Sequence, residues 1–397
     1  RGYRVEILDC EALNLTPEAI VEEVKTAAPR LVGMVVFGHQ PSASTQQMTS
    51  AGMTSSLIKA EIKDLPIVMV GGHISALPER TLMEEDVDFV CKGEGPVTVA
   101  QLLEALKSGE TEDLSAVEGL VWMCDNEPVV NPSAPLIKDL DKDLHGNVWD
   151  LLPMDRYRSH NWLAFDHLDD RSYASMHTSL GCPYKCSFCC INAPFGKSSY
   201  RMWSPRVVVD EIAFLVETYG IKNIKFVDEM FVLNKRHVLE VCDLLIERNL
   251  GVNIWAYARV DTVKSGTLDK LKRAGIQWLA LGIESGSEHV RDGAEKAFSQ
   301  DDIITIVREI QTAGIRVIGN FIFGLPDDTM ERMQSTLDLA LELNCEFANF
   351  YSAMAYPGSP LYTEAAASGG ELPNSWHQFS QHAYDTLPLA NAYCTSA

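Results

Sequence analysis

Apolar runs of strand length alternate with stretches of helical periodicity through most of this 397-residue chain. From Ser175 onward the alternation is regular and predicts six strands separated by helices. Ser204, Asn234 and Ser299 are predicted helix N-caps, and Gly220 is a predicted helix stop. Strands that alternate with helices in this way run parallel, with helical crossovers. Six such units are too few for a full eight-stranded barrel.

The first 130 residues alternate in a similar way, but as a separate unit. At this spacing we expect a doubly wound parallel sheet of the Rossmann or flavodoxin-like type. Gly71 and Gly72 end one predicted strand, and Gly93, Glu94 and Gly95 end the next, so the backbone there can approach a large ligand closely. The predicted elements are strand 4–10, helix 17–28, strand 31–38, helix 48–62, strand 66–72, strand 87–93 and helix 98–106.

The two units are joined by residues 131–171, a stretch of low periodicity that contains prolines and a cluster of aromatic residues. We expect this segment to wrap the domain interface as an interdomain linker. The barrel is predicted over residues 172–365, and residues 366–397 are expected to start a truncated C-terminal region. Because the chain opens on strand 4–10 without a methionine, we expect an internal fragment that lacks the first strand and helix of its N-terminal domain.

Acidic residues outnumber basic ones, with 55 Asp and Glu against 33 Lys and Arg and a net charge of −22. Nucleic acid binds to basic surfaces, so the composition argues against a nucleic-acid partner. The sequence shows no signal peptide and no transmembrane stretch, which favours a cytoplasmic protein without a membrane partner. Its ten cysteines are neither dense nor evenly spaced enough for a disulfide framework.

Three cysteines stand within eight residues, namely Cys182, Cys186 and Cys189 in the run LGCPYKCSFCC. Closed zinc and iron–sulfur sites normally take four protein ligands, so a 4Fe–4S cluster held by these three thiolates would keep one iron open. The alternative is a zinc site with His177 as fourth ligand, although no second cysteine pair follows at the spacing of a zinc ribbon. Cys190 is predicted to be a spare thiol, because neighbouring residues rarely point at the same metal.

This cysteine motif resembles that of the radical S-adenosylmethionine (SAM) enzymes. The resemblance implies a partial (β/α)6 TIM-type barrel, open on one side, in which the open iron binds the amino and carboxylate groups of SAM. An electron from the cluster then cleaves the sulfonium to give a 5′-deoxyadenosyl radical. Phe188 corresponds to the aromatic residue that lies beside adenine. The resemblance also implies an external electron donor of the flavodoxin or ferredoxin type.

Polar residues cluster where the predicted barrel strands end, which is the face on which parallel barrels build their sites. By resemblance, either Asp228 or Glu229 holds the amino group of SAM, although the glycines that usually precede this position are absent. Arg259 is expected to pair with the SAM carboxylate through its fork of donors. Glu284, Ser285 and Gly286 correspond to a stretch that contacts the carboxylate or the ribose.

The N-terminal unit resembles the cobalamin-binding domain that precedes the radical domain in one branch of the family. The resemblance rests on the GGH, LPE and GEG runs, and it implies a crevice for cobalamin. An Asp-x-His-x-x-Gly signature is absent, so we expect no histidine on cobalt. A degenerate domain that binds nothing, or that binds substrate, is the alternative. The candidate cobalamin-binding residues are Ser42, Ser44, Gly71, Gly72, His73, Gly93 and Glu94.

These resemblances imply a cobalamin-dependent radical SAM enzyme that methylates an unactivated carbon of a small molecule. An anaerobic radical cyclase or an oxidative rearrangement enzyme of the same superfamily is the alternative within this class. A hypothesis from a different class is a non-catalytic cofactor sensor or a zinc-stabilised binding module. The sequence does not name the substrate.

Overall fold

The structure is a computed structural model. It describes residues 2–109, 112–144, 148–164, 170–391 and 393. Two sheets organise these residues, one of five strands in the N-terminal unit and one of six strands in the unit that follows. None of the helices in the described ranges has the length and apolar character needed to cross a membrane.

The N-terminal unit is an α/β layer in which the order of the strands in the sheet follows the order of the chain. Its first three strands are parallel, and its last two form an antiparallel hairpin that the sequence analysis did not predict. Its elements are α1 (Pro17–Ala27), β1 (Val32–Val36), α2 (Ala43–Glu61), β2 (Ile67–Gly71), α3 (Gly72–Ala76), α4 (Pro78–Glu84), β3 (Phe89–Cys91), α5 (Pro96–Ser108), β4 (Leu120–Cys124) and β5 (Glu127–Val130).

The predicted strand over residues 4–10 is wrong. No described strand pairs with this segment, and it carries no strand structure. Its apolar side chains Val5 and Ile7 are 59% and 40% exposed. Alternating apolar residues stabilise a strand only when a neighbouring strand supplies backbone hydrogen bonds, and here the edge strand β1 pairs with β2 alone among the described strands. The periodicity of this segment was therefore not enough to make it a strand.

The segment between the units contacts both of them. It contains α6 (Leu140–Asp143) and α7 (Asn161–Ala164). The hydroxyl of Tyr157 donates to Asp9 of the N-terminal unit at 2.5 Å, and the indole N–H of Trp149 donates to Glu211 of the second unit at 3.0 Å. Within the predicted linker, residues 145–147 and 165–169 lie outside the described residues.

The second unit is a parallel sheet of six strands with helical crossovers, as predicted, in the order β13-β12-β11-β10-β9-β6. A short hairpin, β7–β8, interrupts it after the first strand. The elements are β6 (Tyr173–Met176), β7 (Ser179–Leu180), β8 (Arg201–Met202), α8 (Pro205–Tyr219), β9 (Asn223–Phe226), α9 (Lys235–Arg248), β10 (Asn253–Arg259), α10 (Leu268–Arg273), β11 (Ile276–Glu284), α11 (Glu288–Gly293), α12 (Gln300–Thr312), β12 (Arg316–Phe323), α13 (Met330–Leu343), β13 (Phe347–Ser352) and α14 (Pro360–Ala367).

The helix boundaries of this unit follow the predicted caps. The side chains of Ser204, Asn234 and Ser299 accept hydrogen bonds from the first turns of α8, α9 and α12. Gly220 ends α8 in the left-handed conformation, which glycine adopts without steric cost. The prediction of parallel strands joined by capped helices is confirmed here.

The interior of the six-stranded sheet is closed at the end where its strands begin. Alternate residues of β10 and β11 point inward, and Trp255 and Trp278 fill the space together with Ile318 of β12. Leu163 of α7 packs into the same cluster. The side chain of Asn253 holds α7 there by donating to the Leu163 carbonyl oxygen at 2.6 Å. In the described residues this end is filled, so the barrel is open towards the ends of its strands.

Candidate active site

The cysteine loop lies between β7 and β8, above the ends of the barrel strands. Cys182 and Cys186 are buried, and Cys189 is half-buried. The backbone N–H of Cys189 donates to the Cys186 carbonyl oxygen at 3.0 Å, which folds the loop into a turn. Two further backbone bonds join Ser187 to the barrel, one from Leu361 at 2.9 Å and one to Ala294 at 3.4 Å. The loop is thus fixed against the barrel unit directly after its central cysteine.

Burial and a guanidinium group shape the chemistry of these thiols. Burial raises the pKa of Cys182 to about 11 and raises that of Cys189 well above its ordinary value, and Glu229 adds to both effects. Metal binding requires thiolates, so it must displace protons from this loop. One nitrogen of Arg259 lies 3.3 Å from the sulfur of Cys186 and supplies a positive charge beside it. The guanidinium also stacks on the Tyr184 ring at 3.9 Å.

The three thiols of the loop are donors of the kind that both iron–sulfur clusters and zinc sites use. Across the described residues, no three His, Cys, Asp or Glu side chains converge closely enough to hold one ion. A zinc site needs all its ligands about 2.0–2.3 Å from one point. In an iron–sulfur cube each thiolate binds a different iron, so the ligands lie farther apart. The loop supplies three thiols, those of Cys182 and Cys186 buried and that of Cys189 half-buried, with the Arg259 guanidinium beside Cys186.

The structure separates the two acids at the end of β9. The carboxylate of Asp228 accepts from the Thr178 backbone N–H at 2.6 Å, from its hydroxyl at 2.5 Å and from the Ser179 hydroxyl at 2.6 Å. Asp228 therefore ties β9 to the entrance of the cysteine loop. No hydrogen bond joins the Glu229 carboxylate to the described part of the chain, and burial raises its pKa to about 7. Glu229 is the acid that remains available to a ligand.

Glu284, at the end of β11, forms a buried ion pair that the sequence analysis missed. It adopts a positive φ of 68°, and its carboxylate contacts the ammonium group of Lys296. Each side chain is 7% exposed. The ammonium also lies 5.6 Å from the centre of the Phe188 ring. Lys296 follows in a loop without periodicity, so no signal in the sequence linked it to this strand.

Ser285 and Gly286 hold the end of β11 against α13. The hydroxyl groups of Ser285 and Thr336 lie 3.2 Å apart, and the Gly286 N–H donates to the Thr336 hydroxyl at 2.9 Å. A Cβ atom on Gly286 would collide with the carbonyl oxygen of Ser335. Both residues make structural contacts beside the site. The Arg259 fork is similarly engaged, because two of its nitrogens donate to Asp261 at 3.0 and 3.1 Å.

The predicted cobalamin-binding residues of the N-terminal unit lie where β1, β2 and β3 end. Ser42 precedes α2, and the Ser44 hydroxyl donates to the Val36 carbonyl oxygen at 2.6 Å. Ser44 also accepts from the His73 backbone N–H at 3.0 Å. A Cβ atom on Gly71 would collide with the Val36 carbonyl oxygen, so this glycine permits the close packing of β1 and β2.

Gly72 and Gly93 lie against the barrel unit at Pro194. A Cβ atom on Gly72 would lie 3.9 Å from the Pro194 ring, and one on Gly93 would lie 4.0 Å from the Pro194 carbonyl oxygen. Pro194 follows the cysteine loop directly. The two glycines thus lie close to the segment that follows the cysteine loop, where the two units meet.

The His73 side chain does not lie at this contact between the two units. Its ring is buried, with Nδ1 3.1 Å from the Thr45 hydroxyl and the Trp376 ring packed edge-on at 4.4 Å. Burial lowers the pKa of His73 to about 3, so the ring is neutral. Nε2 has no hydrogen-bond partner within the described ranges. The side chain is therefore packed beneath the C-terminal segment rather than exposed to a ligand.

Glu94 links the two units. Its carboxylate pairs with Arg201 of β8 and accepts from the Ile137 backbone N–H at 3.0 Å. Arg201 donates in turn to the Ile137 carbonyl oxygen at 2.6 Å. Both charged side chains are largely buried, at 11% and 13% exposure. This pair fixes the turn after β3 against the hairpin that carries the cysteine loop.

Comparison with known proteins agrees with both halves of this arrangement. A family model of the B12 binding domain matches residues 1–103, and a model of the Radical SAM superfamily matches residues 176–340. An uncharacterized methyltransferase of Pyrococcus horikoshii is 30% identical over 379 residues, which cover 95% of this chain and 78% of that relative. The anaerobic magnesium-protoporphyrin IX monomethyl ester cyclase of Rubrivivax gelatinosus is 27% identical, over 91% of this chain and 63% of its own length.

Solved structures show the same fold. The radical SAM methyltransferase TsrM of Kitasatospora setae, solved with cobalamin and a [4Fe-4S] cluster, superposes with a TM-score of 0.75 at 20% identity. That superposition covers 100% of this chain and 75% of the other. Together, the two family models and the relative from Pyrococcus show that this chain belongs to the radical SAM enzymes that carry a B12-binding domain.

Proposed function

We propose that this chain is a cobalamin-dependent radical SAM methyltransferase that acts on an unactivated carbon of a small molecule. One observation carries the proposal. The cysteine loop stands at the open end of the barrel, with Arg259 at Cys186 and Glu229 close by, and the Pro194 segment that follows it lies against Gly72 and Gly93 of the N-terminal unit. A reaction between two cofactors needs their sites to lie close together.

In this proposal Cys182, Cys186 and Cys189 hold a 4Fe–4S cluster, and Glu229 rather than Asp228 binds the amino group of SAM. Arg259 supplies positive charge beside Cys186 and favours its thiolate form. When bound, the cluster and SAM supply a carbon-centred radical, and cobalamin supplies a methyl group. Asp228 fixes the loop, and the buried pair of Glu284 with Lys296 shapes the site at the end of β11.

Cobalamin is proposed to bind at the strand ends marked by Gly72 and Gly93, with its nucleotide tail near Ser42 and Ser44. No histidine is proposed on cobalt, because the His73 ring is packed against Trp376. We propose residues 1–130 as the cobalamin domain, 131–171 as the linker, 172–365 as the radical SAM domain and 366–397 as the start of a further region. An external flavodoxin or ferredoxin is the proposed electron donor.

The experiment that tests this function is SAM cleavage by the anaerobically reconstituted chain. The cluster-loaded chain is incubated with cobalamin, SAM and a reduced flavodoxin, and we expect it to form 5′-deoxyadenosine. Omission of the cluster, of SAM or of the reductant should each prevent this product from forming. Label in the methyl group of SAM is expected to pass into the bound corrinoid fraction. A fully loaded protein that forms no 5′-deoxyadenosine would refute the radical half of the proposal.

The second candidate is a radical cyclase, favoured by the 27% identity to the cyclase of Rubrivivax gelatinosus. A cyclase removes hydrogen from its substrate without adding a carbon from SAM. The two functions therefore differ in the fate of the labelled methyl group. If 5′-deoxyadenosine forms but no methyl label is transferred from SAM beyond its spontaneous breakdown, the cyclase function replaces the methyltransferase function.

A substitution at Gly72 tests the proposed cobalamin-binding site. Gly72→Leu is expected to weaken cobalamin binding at least about tenfold, because the branched side chain would extend from a position already in contact distance of Ser44 and Pro194. The matched variant Gly72→Ala adds only a Cβ atom, whose nearest neighbours lie at 3.6–3.9 Å, and should bind nearly as well as the native chain. The measurement is retention of cobalamin in anaerobic equilibrium dialysis. Equal retention by all three proteins would contradict this site.

A further inference from the structure

A lysine points into the barrel interior from the middle of β9. Ile224 and Phe226 pack into the core cluster that includes residues of α8 and α9, so the alternation of the strand turns Lys225 to the opposite face. Lys225 is paired in register with Trp255 of β10. Its ammonium nitrogen lies 3.9 Å from the centre of the Trp255 ring and 5.4 Å from that of Tyr257. Lys225 thus lies deeper in the barrel than Glu229.

The charge of this lysine is not balanced by a direct partner. Among the described residues, no hydrogen bond or ion pair within 4.0 Å joins its nitrogen to any other group, and only the aromatic rings contact it. Burial lowers the pKa of Lys225 to about 7, and Glu229 opposes that effect from a distance. A half-buried ammonium group without an acceptor is costly in free energy. A cost of this kind at the centre of a candidate site is typical of a group that binds or reacts.

A histidine of the N-terminal unit acts on the same region of charge. His39 follows β1 on the N-terminal unit, and its ring lies 6.3 Å from that of Tyr173 of β6. Desolvation lowers the pKa of His39 to about 4, and Lys225, His160 and His177 contribute to this effect in that order. His39 of the N-terminal unit therefore lies within electrostatic reach of Lys225 of the barrel. Glu229 is the acid that acts on Lys225.

We propose that Lys225 binds an anionic oxygen group of the substrate, a carboxylate or a phosphonate, while Tyr173 and Tyr257 contact its apolar body. This substrate class rests on the proposed function, because the barrel interior must be the place where the substrate lies. An incoming anion supplies an acceptor that no described residue gives to the ammonium group, and it pairs with that group through charge-assisted hydrogen bonds. Arg259 is the cation next to the cysteine loop, so the SAM carboxylate has a separate partner nearer to the cluster.

The test is equilibrium dialysis of the full chain, loaded with cluster and saturated with SAM at slightly acid pH. The probes are 2-naphthoate, the neutral 2-naphthamide and naphthalene-2-phosphonate, which share one apolar body. The native chain is expected to bind at least one of the two acids roughly 10- to 100-fold more tightly than the amide. Comparison of the two acids identifies the oxyacid that the site prefers.

Three variants locate this preference. Lys225→Met should abolish the preference for the acid, and Lys225→Arg should retain part of it because the charge remains. The matched control Lys235→Met removes an exposed lysine at the start of α9 and should change nothing. Iron content and SAM retention are measured on each variant, so that a misfolded protein is recognised; the arginine variant then carries the test.

The proposal is overturned if the native chain does not bind an acid more tightly than the amide, or if Lys225→Met weakens both probes alike. It is also overturned if Lys225→Met loses SAM while it keeps the preference for the acid, since Lys225 would then serve the cofactor. Formation of 5′-deoxyadenosine by the same samples is recorded separately. Its absence in the native chain would refute the proposed function, whereas the acid preference is decided by dialysis alone.

Discussion

Replacement of Cys182 by alanine is expected to abolish binding of the iron–sulfur cluster, whereas Cys190→Ala should leave it largely intact. With Cys182 removed, two thiolates would remain for a cube that already has one open corner. The measurement is iron and sulfide content, together with the absorbance of the brown cluster, after identical anaerobic reconstitution of both variants. Equal loss of iron from both would show that the ligand assignment is wrong.

The surroundings of Cys190 explain why it serves as the control. Its side chain is buried in a hydrophobic cluster that includes Met48 and Val36 of the N-terminal unit and Tyr356. Burial raises the pKa of Cys190 to about 12, so its thiol is protonated. The side chain thus packs at the interface between the units. Loss of one sulfur there creates a small cavity and leaves the other three cysteines in place.

Local patterns in the sequence predicted those features that depend on neighbouring residues. The caps at Ser204, Asn234 and Ser299 each use a side chain and a backbone N–H three residues apart, so the sequence alone contains all the atoms involved. Six parallel strands followed from the same periodicity. The order of the elements along the sequence was enough to predict that the cysteine motif follows the first barrel strand.

Segments that depend on a partner were harder to predict. Residues 4–10 have the alternation of a strand, but no described strand pairs with them. Conversely, the hairpin of β4 and β5 was missed, although Asp125 and Asn126 at its turn adopt the positive φ angles, 50° and 65°, that suit a two-residue turn. The sequence signal was the acidic and amide pair between two apolar runs.

Contacts between distant parts of the chain could not be predicted at all. Glu94 and Arg201 are 107 residues apart, and Cys186 and Arg259 are 73 residues apart. The first contact forms because the two units pack on each other, and the second because the barrel brings the end of β10 to the cysteine loop. The choice between Asp228 and Glu229 depended on the same kind of information, because Thr178 and Ser179 lie about 50 residues before Asp228. Sequence spacing alone does not distinguish which of the two acids is available to a ligand.

Lys296→Met is expected to destabilise the protein by about 3–5 kcal/mol, because it leaves the buried Glu284 carboxylate without its partner. That loss is a large part of the roughly 5–15 kcal/mol by which a typical domain is stable. Both side chains of the pair are only 7% exposed, so water cannot replace the missing ammonium group. The measurement is anaerobic urea unfolding of the full chain at matched cluster content.

Two further variants separate the buried charge from the loss of a side chain. The double variant Lys296→Met with Glu284→Gln removes both charges and should recover a large part of the lost stability, since no uncompensated carboxylate remains. Lys270→Met breaks the ion pair with Asp243 on the surface, where the two side chains are 33% and 61% exposed, and should cost less than about 1 kcal/mol. If the Lys296 variant is no less stable than the Lys270 variant, or if the double variant is as unstable as Lys296→Met, the buried ion pair does not stabilise the end of β11.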